Sequence, residues 1–460
     1  MRIIKFLTVS FLLLGLSGCH KPDMIQEFAS LNKNARDLTG HTIALRSPAR
    51  LECDKNMTEY IARGLTHNQA ISLALLNNPE LQAHFEELGV AKADLVQAGL
   101  YTNPDIQGFF WLPFRNTATE MEIGTFFNIT DLWQVPLRKK VKQDVLEATT
   151  FKILELILET IRKTQYAYDN ALSAQNKLCI LTDIEHKTGS LRDAIYYRYD
   201  FGLSSDLDKH LTDITVNKAR IDIAHAEKDL THAYLDFKNV LGITPTPDPI
   251  TLNDPFRIPV KKIKQALPPP EELQTYALCN RPELFRLRMK IKQFKDTIAL
   301  ENARTFKKIN AGFSFKQDFD ADRGIGPSFE LSLPLFDQNQ AQKARAQFLL
   351  AQAEKELIAT RLEIQKNVRK HYLDVISFAE ELIIYEDKIL PSYKKAIEYV
   401  DTYEKVMQMT VVTLLQTKKE FYEHQLRAIE TNYHLLNALS ELERATGKRL
   451  DVFRLNEIKL

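Results

Sequence analysis

Leu73-Ala74-Leu75-Leu76-Asn77-Asn78-Pro79-Glu80-Leu81 is answered further down the chain by Tyr276-Ala277-Leu278-Cys279-Asn280-Arg281-Pro282-Glu283-Leu284. Each copy introduces the same succession: a polar helix, two strand-like segments, a very long helix, a short break and a last helix. The period is too long for a solenoid unit, so it marks two duplicated halves that build one structure. The residue before a proline is driven away from the helical region, which ends a first helix at Asn77. Asn78 is then placed to cap a second helix, with Pro79 at its first position.

Working outward, the segments after Asn103-Pro104 change from helical to strand character. Ile106 to Leu112 and Glu120 to Ile129 are rich in Phe, Ile, Trp and Thr, and Ile309 to Phe319 and Ile325 to Phe336 repeat them. About ten residues suffice for a tilted strand to cross a bilayer. The alternation is imperfect, because Phe109, Phe110 and Trp111 are consecutive, and a soluble hairpin in each half is the alternative.

The long helices carry the strongest periodicity. Ile364, Val368, His371, Val375, Phe378, Leu382, Tyr385, Ile389, Tyr393, Ala396, Val400, Tyr403 and Met407 step by alternating fours and threes. That period of about 3.5 predicts supercoiling against neighbours. Pro391 lies inside the run and predicts a kink. The equivalent helix of the first half covers Arg138 to Tyr199, about 93 Å at 1.5 Å per residue. Pro79 to Tyr101 and Ser204 to Leu241 together come to about 92 Å. Each half thus reads as one unbroken rod beside two shorter rods laid end to end. The prolines at 245, 247, 249, 255, 259 and 268–270 mark a non-helical linker strapped against the column.

The N-terminus reads as a processing signal. Arg2 and Lys5 precede an apolar run, Phe6 to Leu16, that is too short to span a membrane. Leu16-Ser17-Gly18-Cys19 resembles a bacterial lipobox, which makes residues 1–18 a lipoprotein signal peptide and Cys19 the lipidated first residue. An ordinary signal peptide is the alternative. His20 in place of Asp favours, by the same resemblance, retention in the outer membrane. Residues 19–64 then form a tether, 65–242 the first repeat, 243–271 the linker, 272–450 the second repeat and 451–460 a tail.

Composition narrows the function. The chain has 460 residues, and 61 basic side chains stand against 60 acidic ones, which argues against a nucleic-acid surface. No later segment has 18 consecutive apolar residues. Cys53, Cys179 and Cys279 fit neither a metal knot nor a disulfide framework. The scattered histidines, His225 and His232 included, lack the pattern of a metal site. His371 reads as a core residue, and Met407 and Met409 as packing. No nucleophile, base or metal cluster is visible, so neither an enzyme nor a bound cofactor is expected.

Four strands cannot close a barrel alone, and an open edge is not tolerated in lipid. Two copies would give a narrow, filled barrel; three give twelve strands and leave a lumen. The residues alone point to a fold that is mainly α with a membrane β-barrel, built of duplicated halves, long coiled-coil helices and four strands per chain, with two or three copies both open at this point.

The duplicated motif, the strand pairs, Asp131-Leu132-Trp133-Gln134 and Tyr199-Asp200-Phe201-Gly202-Leu203-Ser204 resemble the TolC superfamily of outer-membrane efflux proteins, over nearly all of Leu65 to Leu450. The lipobox and the Asp-Leu-Trp-Gln segment are similar to its lipoprotein and heavy-metal efflux branches. The resemblance implies a homotrimeric exit duct in outer-membrane lipid, with four strands per chain in a trimeric 12-stranded β-barrel and the long coiled-coil helices forming a periplasmic α-barrel. It also implies two partners, a periplasmic adaptor and an inner-membrane pump of RND or ABC type. It implies too that the helix reversals, Gly202, Leu203 and Ser204 in one half and Gln408, Met409 and Thr410 in the other, dock the adaptor. Gly202 suits a left-handed turn, and Ser204 and Thr410 are placed to cap the returning helices. The positions where the family's best-known tunnels carry acidic residues at the entrance fall on Thr413 and Gln416. Both are uncharged, so an acidic constriction is not carried over. Asp206 and Asp208 follow the first reversal and could supply charge there. The competing readings are an exit channel for type I protein secretion and a non-channel periplasmic coiled-coil lipoprotein.

Overall fold

A computed structural model describes residues 23–46, 64–114, 118–244, 248–256, 259–405 and 411–450. The signal segment, Cys19, Cys53, Met407, Gln408, Met409, Thr410 and the 451–460 tail lie outside the described residues. The elements run α1 (Ile25–Thr39), α2 (His67–Asn77), α3 (Pro79–Ala98), β1 (Asp105–Trp111), β2 (Glu120–Asn128), α4 (Asp131–Asp200) and α5 (Asp206–Val240). Then come α6 (Val260–Ala266), α7 (Pro270–Asn280), α8 (Pro282–Ala303), β3 (Ile309–Gln317), β4 (Arg323–Leu331) and α9 (Gln340–Ile384). A π-helical turn (Tyr385–Ile389), α10 (Leu390–Lys405) and α11 (Val411–Thr446) complete the succession.

Four expectations need correction. The tether contains α1, whose Leu31 and Ala35 are fully buried, because Phe28, Leu31, Ala35 and Leu38 recur at three- and four-residue steps. The linker contains the short helix α6, so it is not wholly irregular. Helix α4 starts at Asp131 rather than Arg138 and keeps Pro136 inside. Pro391 does not simply kink its rod: the turn before it widens into a π-helix, which takes up the lost i→i−4 bond and the ring's clash with the preceding carbonyl.

The chain forms two compact units. The first takes in residues 84–153 and 282–360 together with the chain before Asn32. Its four strands make one antiparallel sheet in the order β1-β2-β3-β4. The helices attached to those strands follow the same order. Lys142–Asp94 (2.7 Å) and Lys152–Glu87 (2.7 Å) tie α4 to α3. Lys140–Asp296 (2.8 Å), Lys292–Asp144 (2.7 Å) and the stacked rings of Phe151 and Phe285 (5.3 Å) tie α4 to α8. Lys290–Glu356 (3.0 Å) ties α8 to α9. Phe85, Leu88 and Ile153 are fully buried in this layer, each contributing about 1.5–3 kcal/mol. The carboxyl of Asp144 is held above its usual range, first by burial and then by the nearby Asp296, while Lys292 opposes the shift.

The second unit takes in residues 32–83, 154–281 and the chain from Arg361 onward. The recurrent motif of the sequence acquires its reason here. Asn78 Oδ1 accepts from the Leu81 N–H (3.0 Å), capping α3 as its sequence promised, and its Nδ2 donates to the Val240 carbonyl (2.8 Å) at the end of α5. Arg281, the matching residue, donates to the Arg444 carbonyl at the end of α11. Both of those last helices stop at glycines with left-handed backbone, Gly242 (φ +70) and Gly447 (φ +66). The motif is a fastener that ties the start of each repeat to its end.

The same unit holds the linker. Leu65 pairs with Leu252, exchanging bonds with the Thr251 carbonyl (2.9 Å) and the Asn253 N–H (2.9 Å). The buried Tyr168 donates to the Leu65 carbonyl (3.0 Å) and packs edge-on against Phe237 (5.7 Å). Ile250, Leu252 and Phe256 join this cluster, so the described part of the linker is pinned, as expected. A second cluster joins α4 and α5 to α10 and α11 through Leu181, Ile184, Ala219, Phe421, Tyr422 and Tyr393. The heptad seam is buried at Ile364, Val368, Val375 and Leu382. It turns aromatic where Tyr393 meets His424 (5.2 Å).

Candidate functional site

The sheet sorts its side chains by register. Pairings such as Ile106↔Thr125, Phe110↔Met121, Thr125↔Phe313 and Phe313↔Pro327 place those residues on one face. Read through the ladder, that face carries Ile106, Phe110, Met121, Ile123, Thr125, Phe127, Ile309, Ala311, Phe313, Phe315, Ile325, Pro327, Phe329 and Leu331. Within it the one polar side chain is Thr125, and charge or amide enters only at its end, where Gln317 pairs with Arg323. The face is bare: Phe313 is 65% exposed, Ile325 79% and Phe329 83%. A contiguous exposed apolar surface of this kind marks contact with lipid or with a partner.

The opposite face carries Asp105, Gln107, Glu120, Glu122, Asn128, Asn310, Ser314, Lys316, Ser328 and Glu330, with Gly124, Gly312, Gly324 and Gly326 between them. On it Lys316 pairs with Glu120 (3.0 Å) and Asp318 (3.0 Å), and Asn310 donates to Glu330 (2.7 Å). Gly312 is obligatory, because a Cβ there would stand 1.8 Å from the Thr125 carbonyl oxygen. The run Phe109-Phe110-Trp111 that blurred the alternation divides cleanly: Phe110 lies on the apolar face, Phe109 and Trp111 on the polar one. Strands β1 and β4 have a partner on one side only within the sheet.

The first helix reversal is described in full. The Gly202 N–H donates to the Tyr199 carbonyl (2.8 Å) and the Leu203 N–H to the Arg198 carbonyl (2.8 Å), the paired bonds of a Schellman stop. Gly202 has φ +72, and no atom stands near its missing Cβ. The cap of the returning helix is Ser205, not Ser204. Ser205 Oγ accepts from the Asp208 N–H (3.1 Å), and Asp208 accepts from the Ser205 N–H (3.0 Å). Because the stop consumes Leu203, the chain needs one more residue before it can turn back. Asp208 is thereby spent on the cap. The reversal presents Tyr197, Phe201, Leu203 and Leu207, all more than half exposed. Lys209 sits over the rings of Tyr196 (4.9 Å) and Tyr199 (5.0 Å). Hydrogen bonds to Asp213 and Asp206 raise the hydroxyls of Tyr196 and Tyr199, respectively, above their ordinary range.

At the second reversal, Thr413 and Gln416 are exposed on the first turns of α11. Gln416 donates to Glu420 (3.3 Å), which also takes the Tyr393 hydroxyl (3.1 Å). A carboxylate thus stands one helical turn past the two uncharged positions. Sequence reasoning missed it, and the four-residue spacing from Gln416 was the available signal.

Among the described residues no three His, Cys, Asp or Glu side chains converge as metal ligands. His371 lies half-buried beside Asp374 (3.4 Å), with its imidazole pushed down chiefly by burial. His41 and His67 line a small cavity of about 60 Å3 with Arg162, Gln165 and Glu443. Burial first, and Arg449 as well, lower both imidazoles to about 4, against a raising pull from Asp254 on His67. That cavity is too small for cargo. Cys179 and Cys279 are free thiols.

The family model described as "Outer membrane efflux protein" matches residues 273–448. The chain is similar to the cobalt-zinc-cadmium resistance protein CzcC of Cupriavidus metallidurans, 20% identical over 398 residues that cover 84% of this chain and 90% of that one. Its fold matches CusC with a TM-score of 0.69 at 16% identity, over 83% of this chain and 92% of that one. It matches the MtrE outer membrane channel of Neisseria gonorrhoeae with a TM-score of 0.66 at 15% identity, over 84% and 89%.

Proposed function

We propose, for a chain whose residues 273–448 match the outer membrane efflux protein family, that three copies close their sheets into one transmembrane barrel and conduct cargo through it. In this reading the protein is the outer-membrane exit duct of a tripartite efflux system. One observation carries it: the ladder gives a predominantly apolar face, a polar face and two edges with no partner inside the sheet. In lipid an open edge is excluded, so β1 of one copy must pair with β4 of the next. Three sheets of four strands make a twelve-stranded barrel with an aqueous interior. The polar face, where small residues and charged side chains stand, then lines the water.

The remaining parts follow the same logic. Helices α3, α4, α8 and α9 continue the strands in the same order, so three copies extend the barrel as a helical tunnel into the periplasm. Cys19 carries the lipid that holds the N-terminus at the membrane. The rings at Tyr197, Phe201, Leu203 and Leu207, with Gly202 and Ser204 shaping the turn, receive the hairpin of a periplasmic adaptor. Gln408, Met409 and Thr410 do so at the second reversal, and Thr413, Gln416 and Glu420 stand just inside the entrance. An inner-membrane pump of RND or ABC type supplies the energy.

Membrane fractionation, cross-linking and planar-bilayer recordings test this reading. A cross-linked trimer in the outer membrane that conducts ions is the expected result. Deletion should sensitise cells to cobalt, zinc or cadmium salts or to organic dyes. A monomer in detergent with no conductance, or unchanged susceptibility to all of these, would refute it.

A further inference from the structure

The ladder places two large rings where a water-filled duct has least use for them. Phe109 and Trp111 project from the polar face of β1, stacked at 5.8 Å with 21° between their planes. They remain 51% and 46% exposed. Lipid contact cannot account for them, because acyl chains meet the other face, the one that holds Phe110. The third ring on this side, Phe126, is seated: its edge lies over Gly124, within 2.7 Å of where a Cβ would be. The ladder partners of the stacked pair are Glu122 and Glu120. Around them the polar face is otherwise amide, hydroxyl, charge or glycine. The pair also lies at one end of the sheet. Trp111 closes β1 at the connection to β2, while the helices leave from the opposite ends of the strands.

We propose that Phe109 and Trp111, contributed three times, form an apolar collar on the inner wall of the barrel at its outer mouth, and that this collar determines what the duct passes. The proposal rests on the exit-duct reading and deepens it by naming a cargo class. An apolar stretch of wall in a polar pore is poorly wetted and so impedes hydrated ions passing along it. Stacked rings offer π faces on which flat organic molecules rest and slide. The collar therefore favours aromatic amphiphiles over hydrated metal ions. The ring faces, with Glu122 as the ladder partner of Phe109, add a preference for cationic members of that class.

The test uses the full-length trimer reconstituted in planar bilayers, with potassium chloride as the carrier and ethidium as the aromatic cation. The F109S/W111S double substitution is expected to raise single-channel conductance about twofold and to abolish transient block by ethidium. In a Trp133→Phe background, which leaves Trp111 as the one tryptophan, iodide should quench its emission and brominated lipid should not. That second measurement holds even if the double variant does not assemble. Quenching of Trp111 by brominated lipid, or a double variant whose conductance and block match the parent, overturns the collar while leaving the duct intact. A parent protein that carries no current overturns both.

Discussion

Phe313→Arg and Gly326→Arg form the sharpest pair of perturbations, because the two sites lie one rung apart on β3 and β4 and face opposite ways. Phe313 pairs with Pro327 and Ser314 with Gly326. Phe313 stands at the middle of β3 and is 65% exposed on the apolar face. Of the roughly 200 Å2 that a phenylalanine presents, about 130 Å2 would meet lipid, worth about 3 kcal/mol. An arginine at the bilayer midplane adds a penalty of about 2–4 kcal/mol. The first variant should therefore lose about 5–7 kcal/mol per copy, enough to prevent assembly of a marginally stable protein. Gly326 faces the other way, and a Cβ there meets nothing within 4 Å. Its arginine should extend into water at a cost within about 0.5 kcal/mol. The assay is the fraction of heat-sensitive, SDS-resistant trimer recovered from membranes, supported by urea titration in liposomes. Equal tolerance of both substitutions would remove lipid from the argument. Loss of trimer with Gly326→Arg alone would reverse the two faces.

Three further outcomes are expected. Gly312→Ala should unpair β2 from β3, since its Cβ would stand 1.8 Å from the Thr125 carbonyl oxygen, and no trimer should form; a normal yield would contradict the ladder. Ser205→Ala should cost about 1 kcal/mol, read as a lower Tm, whereas Ser204→Ala should leave Tm unchanged, and the reverse ranking would restore Ser204 as the cap. His67 titrates at about 4 in the folded chain against 6.5 for an ordinary imidazole, so the unfolded chain binds the extra proton between those values. Stability is full above about pH 6.5 and falls as pH drops toward 4, and His67→Gln should flatten that part of a pH–Tm profile; an unaltered profile would place the acid sensitivity elsewhere.

Much of the architecture was legible because it is periodic. The duplicated motif announced two halves, and the structure adds only what the motif does: Asn78 and Arg281 each reach a carbonyl at the end of a last helix. The strand pairs were legible, but their faces were not. A lone strand read as Phe109-Phe110-Trp111 has no inside, and only the ladder across β2, β3 and β4 assigns each ring to a side. The cap at Ser205 was missed because two serines adjoin. The Asp208 three residues on was the deciding sign, since a capping box needs a side-chain acceptor at that spacing. Helix α1 was hidden by polarity: one narrow stripe of Phe28, Leu31 and Ala35 suffices to bury it, and composition averages that stripe away. The π-turn before Pro391 depends on how the helix relaxes round a missing donor, which spacing does not encode.

The shared order of strands and helices in the first unit has a geometric corollary. Four strands about 4.8 Å apart are about 14 Å wide, while four helices 8–10 Å apart occupy about 24–30 Å. Tilting the strands recovers only part of that difference. The four connections, of two to eight residues, with Asn339 at φ +63 in the longest, absorb the remainder as a taper. In the exit-duct reading, a rigid molecule passing from these helices to the strands moves from the wider stretch to the narrower, so spreading the helices alone would not let larger cargo cross the bilayer.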